Sequence, residues 1–404
     1  MARIRYGVIG IKGIGKYHAR LAQLHNQVQL KALVDIDESF VKGTAQSFGV
    51  NAYTDYRDLL DADIVDAVSI ATPHHLLSDI GQACLSAGVH IFIEKPFAIR
   101  LSDADRMLKL AKERDLKISV GFQYRAHRSS QAMKRIIDTG EIGKIQRVLW
   151  SWGEFRSQAY YTNKQWHTSW RQAGGGLLAS HVSHELDLIS WMVGRPVQVS
   201  AIIGNQLGNT QGEDIACVNV MFEQGAFGSL QFSLNQPRAY STRQLAGSKG
   251  ILVVPDVKSL TDDHNDRILL GRYPNELVTM NTELTDGHQQ PAIKWDVVKL
   301  PWEVKDHPTL KKWMWPKRFW RATGLLEKGS YGRPELMDSF IRSIIDGGEP
   351  MVNGESARTT LEFINAAILS AVRKKMVQLP LDPEEYDCLL RELIDGKVSI
   401  PGFL

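Results

Sequence analysis

Short apolar runs separated by amphipathic stretches dominate the first third of the chain. Ile4-Arg5-Tyr6-Gly7-Val8-Ile9, Leu30-Lys31-Ala32-Leu33-Val34, Ile64-Val65-Asp66-Ala67-Val68-Ser69-Ile70, Val89-His90-Ile91-Phe92-Ile93 and Lys117-Ile118-Ser119-Val120-Gly121-Phe122 all have strand length and β-type composition. Helical spacing appears between them: Tyr17, Leu21 and Leu24 after the first run, a segment ending near Ala87, and residues 101–114. Strands alternating with helices at this spacing predict a doubly wound parallel sheet, an α/β domain over residues 1–122. Near Phe122 the pattern changes. A helix is predicted from Ser130 to Thr139, stopping at Gly140. Strands follow at 145–155, 197–205, 214–222 and 226–234, the last two joined by a hairpin turn at Glu223-Gln224-Gly225. Successive antiparallel strands predict an α+β second domain, residues 123–404, with a large open, mostly antiparallel sheet. Helices starting at Leu336 and covering Glu355–Lys375 are expected to pack back on the first domain.

The first strand runs into Gly10-Ile11-Lys12-Gly13-Ile14-Gly15 and then a helix. Strand, glycine turn and helix form the context in which backbone N–H groups cradle a pyrophosphate. Asp35 ends the next strand, twenty residues past Gly15, where a carboxylate can accept from ribose hydroxyls and repel a 2′-phosphate. NAD is therefore expected over NADP. Lys12 stands where the second glycine of the fingerprint belongs, so Gly13 is expected to give the close backbone approach, with Lys12 turned outward.

Lys95, in Glu94-Lys95-Pro96, ends the apolar run 89–93. A cation at the carboxyl end of a parallel strand lies where ligands meet in such sheets. There an amine can hold a substrate hydroxyl and stabilise the oxyanion that forms as hydride leaves. In isolation a Glu-Lys-Pro is as readily a surface turn; the neighbouring glycine motif favours the site.

Further along, Gly174-Gly175-Gly176 is expected to open an apolar helix carrying Ser180, His181, His184 and Asp187. Ser180 and His184, four apart, would then share a helical face. The glycine turn followed by His18, the Ala71-Thr72-Pro73 turn, Glu94-Lys95-Pro96, and the glycine triplet followed by His184 and Asp187 resemble, in order and spacing, the Gfo/Idh/MocA oxidoreductase family. The resemblance extends over the first domain to about Gly194. It implies an acid at the Ser180 position, working with the His184 position and the strand lysine. Here a hydroxyl replaces that acid, and a hydroxyl is no base at neutral pH. Proton transfer is therefore expected to fall to His184, whose ordinary pKa suits it.

The expected catalytic pair is Lys95 and His184, with Ser180, His181, Arg171, Trp170 and Arg125 binding substrate. Cofactor contacts are expected from Gly10, Lys12, Gly13, Ile14, Gly15, Asp35, Ala71, Thr72, Pro73, His75, Glu94, Lys95 and Gln123. Simpler roles compete: Trp166 and Trp170 as core aromatics, Tyr124 and Arg125 as linker, and Asp187 as a helix-surface partner. His181, His184 and His74 or His75 could suggest zinc, but no suitably spaced cysteine or carboxylate joins them, so no metal is expected. The basic and aromatic run Lys311–Arg321 reads as a subunit contact or substrate flap, and the polar stretch 256–310 shows little periodicity.

Composition narrows this little further. The chain has 404 residues, 43% hydrophobic and 23% charged, with a net charge of +3. That charge is too small to argue for nucleic acid or a membrane surface. Three scattered cysteines (Cys84, Cys217, Cys388) give no disulfide framework, and no apolar run is long enough to span a membrane. A cytoplasmic homodimer or homotetramer is expected, the assembly on fold analogy alone. The expected function is NAD-dependent oxidation of a secondary ring hydroxyl of a sugar, glycoside or inositol. The rivals are a redox-neutral glycosidase or lyase that retains NAD, and a non-catalytic NAD-linked sensor.

Overall fold

The computed structural model describes residues 3–163, 165–206, 210–236, 241–255, 267–277, 290, 292–300 and 332–402. The expectations for 311–321 lie outside these residues. The described chain divides into two compact units. The first holds residues up to 126, then 171–174 and 332–361; the second holds 127–170, 175–300 and 362–402.

The first unit is built on six parallel strands: β1 Ile4–Ile9, β2 Val28–Val34, β3 Asn51–Tyr53, β4 Ala67–Ile70, β5 His90–Ile93 and β6 Ile118–Val120. Their order is β3-β2-β1-β4-β5-β6, the doubly wound order that the alternating pattern predicts. The register aligns Val34, Ile9, Ile70, Ile93 and Val120 in one row across five strands. The residues that follow each strand are Asp35, Gly10, Ala71, Glu94 and Gly121, so one edge of the sheet collects Gly10, Asp35, Ala71 and Glu94 of the expected cofactor contacts, and the segments that continue from it carry the others. β4 is shorter than its apolar run. Asp66 turns to Arg5, its Oδ2 accepting from the Arg5 N–H at 2.8 Å and its Oδ1 from Nη2 at 2.7 Å. Helix Arg333–Ile345 belongs to this unit although it arrives more than two hundred residues later. Phe340 packs on Phe92 with ring centroids 5.9 Å apart, and Asp338 lies 3.3 Å from the buried His25 imidazole.

The second unit carries nine strands: β7 Ile145–Gly153, β8 Pro196–Gly204, β9 Ile215–Phe222, β10 Phe227–Ser233, β11 Thr242–Gly247, β12 Gly250–Val254, β13 Leu269–Arg272, β14 Lys294–Val297 and β15 Val377–Gln378. Their order is β14-β13-β12-β11-β7-β10-β9-β8-β15. All pairs are antiparallel except β7 with β10. The predicted hairpin is present, with Gly225 at φ +85° completing it. Strand periodicity sorts the faces. Ala216, Val218, Val220 and Phe222 are buried on one side, whereas Ile202 on neighbouring β8 is 73% exposed on the other. β13 and β14 lie within 256–310, where the sequence shows too little alternation to reveal them. Among the described residues no helix is long and apolar enough to cross a membrane.

Candidate active site

The glycine turn in the first unit depends on two contacts. A Cβ at Gly10 (φ +80°) would stand 2.8 Å from the Ala71 carbonyl oxygen, and one at Gly15 would fall 1.7 Å from the Gly10 oxygen. Both glycines are there because backbone passes backbone. Gly13 differs: its φ is +61°, and open space surrounds the position a Cβ would take. It precedes helix Ile14–Leu24, whose first turn has no side-chain cap and no acidic residue. An open left-handed glycine before uncapped N–H groups fits a pyrophosphate. Asp35 is buried at the end of β2. Its Oδ2 accepts from Ile11 N and its Oδ1 from Asp37 N, both at 3.1 Å. The carboxylate is thus tied to the turn and retains lone pairs for ribose hydroxyls. Lys12 does not simply point outward: its Nζ donates to Asp37 Oδ2 at 2.9 Å.

At the end of β5, Glu94 is buried and Lys95 half-buried. Burial pushes the Glu94 carboxyl up, but the His18 imidazole at 3.1 Å, with help from Arg333 and Lys95, outweighs it and holds the group at about 2. Burial lowers the Lys95 amine to about 8, Glu94 opposing and Arg333 adding to the fall. An amine in that range changes charge near neutral pH, as an acid–base group must. Gln123 closes this corner: its amide nitrogen donates to the Gly121 oxygen at 2.7 Å and its amide oxygen accepts from Arg333 Nη2 at 3.1 Å. Gly121 makes room, since a Cβ there would lie 3.0 Å from Glu94 Oε2. Of the remaining expected contacts, Thr72, Pro73 and His75 follow β4 and are half-buried, and Arg125 is buried in the short helix Gln123–Ala126.

The glycine triplet behaves differently. In the second unit Glu213, 1% exposed, accepts from Gly176 N through Oε2 at 2.9 Å and from Leu178 N through Oε1 at 2.8 Å. Its own carbonyl accepts from Leu177 N at 2.7 Å. A Cβ at Gly176 would sit 2.1 Å from that carbonyl oxygen, which makes the glycine necessary. Burial raises the Glu213 carboxyl, against the pull of these N–H groups.

The single helix expected after the triplet is instead two. Leu177–Ser180 ends, and Ser183–Val193 begins after a turn at His181-Val182. Val182 N reaches back five residues to Leu177 O, at 3.0 Å, a wider turn than an α-helix makes. Ser180 and His184 therefore do not lie on one continuous helical face, whereas His184 and Asp187 do share a helix and are both buried. Ser180 Oγ donates to the His167 carbonyl at 2.9 Å.

Several residues around the triplet escape a reading of the sequence. Tyr160 Oη lies 2.8 Å from His167 Nδ1 and 3.1 Å from His181 Nε2, so one phenol links two imidazoles. Glu185, next to His184, is a structural group: it accepts from Trp150 Nε1 at 2.7 Å and from Arg243 Nη2 at 2.9 Å, all three buried. Glu213, Tyr160 and His167 carry no local motif. Arg333 had a signal in Gly332-Arg333-Pro334, a helix start with proline in its first turn, but nothing in it named Glu94 as partner. Trp170 is buried and Arg171 exposed; Trp170 groups with the second unit and Arg171 with the first.

Comparison with known proteins agrees with this architecture. The oxidoreductase family with an NAD-binding Rossmann fold, Gfo/Idh/MocA, matches residues 4–122. The Gfo/Idh/MocA C-terminal domain matches 130–253. A myo-inositol 2-dehydrogenase of Thermotoga maritima is 28% identical over 72% of this chain and 90% of its own length. A 2,7-anhydro-N-acetylneuraminate hydratase of Escherichia coli is 22% identical over 93% of this chain and 97% of its own. The solved WlbA dehydrogenase of Bordetella pertussis, in complex with NADH and UDP-GlcNAcA, superposes with a TM-score of 0.74 at 24% identity, covering 94% of this chain and 99% of that one. With both domain matches in chain order on a parallel-sheet unit and an antiparallel-sheet unit, the protein belongs to the Gfo/Idh/MocA family of NAD-binding oxidoreductases.

Proposed function

We propose that the chain is an NAD-dependent dehydrogenase that oxidises a secondary ring hydroxyl of a sugar, glycoside or inositol. The observation that carries this reading is Lys95: an amine lowered to about 8 at the carboxyl end of β5, in the row of strand ends that also bears the glycine turn and Asp35. Bound NAD supplies a two-electron acceptor at its nicotinamide. The chain's own residues do the rest. Asp35 accepts from the ribose hydroxyls, and the N–H groups after Gly13 receive the pyrophosphate. Lys95 holds the substrate oxygen and stabilises its developing charge, while the nearby Glu94 carboxylate, itself anchored by His18, favours the charged form of the amine. His184 takes the hydroxyl proton. Donors from His181, Arg125 and Arg171 suit a neutral polyhydroxylated ring, while the Trp170 ring is buried and offers little surface for stacking. The myo-inositol dehydrogenase relative points to the same substrate class.

A panel of inositols, pyranosides, linear primary alcohols and 2-hydroxy acids, each with NAD and read as NADH absorbance, tests this. NADH formation is expected with at least one cyclitol or pyranoside and with none of the linear alcohols or hydroxy acids. Reaction of a simple hydroxy acid alone would overturn the substrate class. Consumption of a sugar without net NADH would replace the dehydrogenase by a redox-neutral enzyme, the class suggested by the hydratase relative.

A further inference from the structure

Two carboxylates, rather than one, stand beyond the end of β2. Asp35 is buried, with both oxygens bonded to backbone N–H groups. Asp37 is partly exposed and does two jobs. Its Oδ1 caps helix Glu38–Phe48, accepting from Phe40 N at 3.1 Å and from Ser39 Oγ at 2.9 Å. Its Oδ2 accepts from Lys12 Nζ at 2.9 Å. Capping explains an oxygen at position 37 but not a cation beside it. Lys12 occupies the place of a fingerprint glycine, and its stem spans from the phosphate turn to the start of the next helix, with the ammonium 5.5 Å from the Phe40 ring centroid. The lysine side chain is 59% exposed and the aspartate 39%, so the pair adds little to stability. Its position at the ribose end of the dinucleotide site is what gives it a consequence.

We propose that Asp37 is a cofactor-selecting residue that acts through Lys12, holding this cation away from a 2′-phosphate that it would otherwise receive. The 2′-phosphate of NADP is attached where the end of β2 meets the adenosine ribose. Asp35 alone opposes it by repulsion. Lys12 is a cation within the same neighbourhood, and a lysine is a competent point-charge partner for phosphate. With Asp37 in place, Asp35, Asp37 and Lys12 together carry one net negative charge, and the ammonium has a partner. With Asp37 neutral, the three positions carry no net charge and the ammonium is released toward the ribose. Selection for NAD thus rests on two acids, of which the second disarms a lysine placed by the turn itself.

Equilibrium titration of the full-length protein with NAD and with NADP, followed by tryptophan fluorescence or calorimetry, tests this without any substrate. Asp37→Asn removes the charge and keeps a good capping oxygen, so helix Glu38–Phe48 is preserved. The expected result is NADP binding tightened about fivefold or more, with NAD affinity within about twofold of the parent. The double variant Asp37→Asn/Lys12→Ala is expected to lose that gain. Raised salt is expected to erode it as well, because the groups are exposed. A change of less than about twofold in the NADP to NAD ratio of Asp37→Asn would overturn the proposal. So would a gain that survives in the double variant. Binding of NAD by the parent protein in the same titration tests the cofactor assignment separately.

Discussion

The chain contains two glycine-rich turns that each open a helical segment, and their N–H groups stand in different surroundings. At Gly10–Gly15 the packing glycines hold strand, turn and helix together, while Gly13 faces open space before uncapped N–H groups. At Gly174–Gly176 the equivalent N–H groups of Gly176 and Leu178 are already bonded to the two oxygens of Glu213. Both turns present backbone N–H groups, the positive end of the peptide dipole, at the start of a helical segment. The first, in the proposal above, leaves them for the cofactor; in the second an internal carboxylate holds the start of the short helix Leu177–Ser180. A glycine motif therefore signals close backbone approach, and only its surroundings say whether the anion is a cofactor or part of the fold.

Three experiments would break or sharpen this contrast. The largest effect is expected in turnover. Lys95→Met and His184→Ala should each lower kcat by roughly two to four orders of magnitude, the range for positioned acid–base groups. NAD affinity should change little in His184→Ala, since His184 stands on helix Ser183–Val193 of the second unit and not on the glycine turn of the first. Near-normal turnover in His184→Ala together with its loss in His181→Ala would transfer the proton to the other imidazole.

Alanine substitutions should separate the glycines next. Gly15→Ala and Gly176→Ala place a Cβ against backbone, at 1.7 and 2.1 Å. Each should cost about 3 kcal/mol or more, measured as loss of soluble folded protein or a lower unfolding midpoint. Gly13→Ala meets no non-neighbouring atom of the protein and bears chiefly the backbone strain of φ +61° with ψ −118°, on the order of 1–3 kcal/mol. It should fold, yet bind NAD at least about tenfold more weakly, because the new methyl occupies the side on which the pyrophosphate approaches. Unchanged NAD affinity in Gly13→Ala would show that the phosphates lie elsewhere.

The smallest effect is a difference in acid response between two buried glutamates. Glu94 is held at about 2 against an ordinary 4.5, so its stabilising contribution is present above about pH 4.5 and lost as pH falls toward 2. At neutral pH that contribution is on the order of 3 kcal/mol. Glu213 is shifted upward, so its contribution is present at low pH and lost as pH rises through the ordinary carboxyl range toward its folded value. Glu94→Gln should accordingly flatten the acid limb of stability and lower the unfolding midpoint at pH 7. Glu213→Gln should cost less there and remove a loss of stability on the alkaline side of that range. Unfolding midpoints from pH 3 to 8 would show it; parallel curves for the two variants would mean the carboxylates are in the same state.

Much of the first unit was legible in the sequence because its signals are local. A strand of the β5 type is a short apolar run, and a glycine turn is a fixed spacing between a strand and a helix. The five strand ends then come into one row because parallel pairing in a doubly wound sheet leaves them nowhere else to go. Lys95 and Asp35 are placed by the same reasoning. Other features needed tertiary structure, for identifiable reasons. The break at His181-Val182 opposes an apolar pattern that suits one continuous helix; it comes with N–H groups held by Glu213, more than thirty residues away in the chain. The phenol of Tyr160 meets His167 only seven residues on and His181 twenty-one residues on, at spacings no helix or strand period marks, and Arg333 meets Glu94 across more than two hundred residues. β13 and β14 have too little alternation to be recognised alone and are strands because a sheet edge supplies their hydrogen-bond partners. Local propensity and spacing thus determined the scaffold of the first unit and the place of Lys95 at the end of β5. Which buried charge meets which, and where a helix must stop, was decided by partners that only folding brings near.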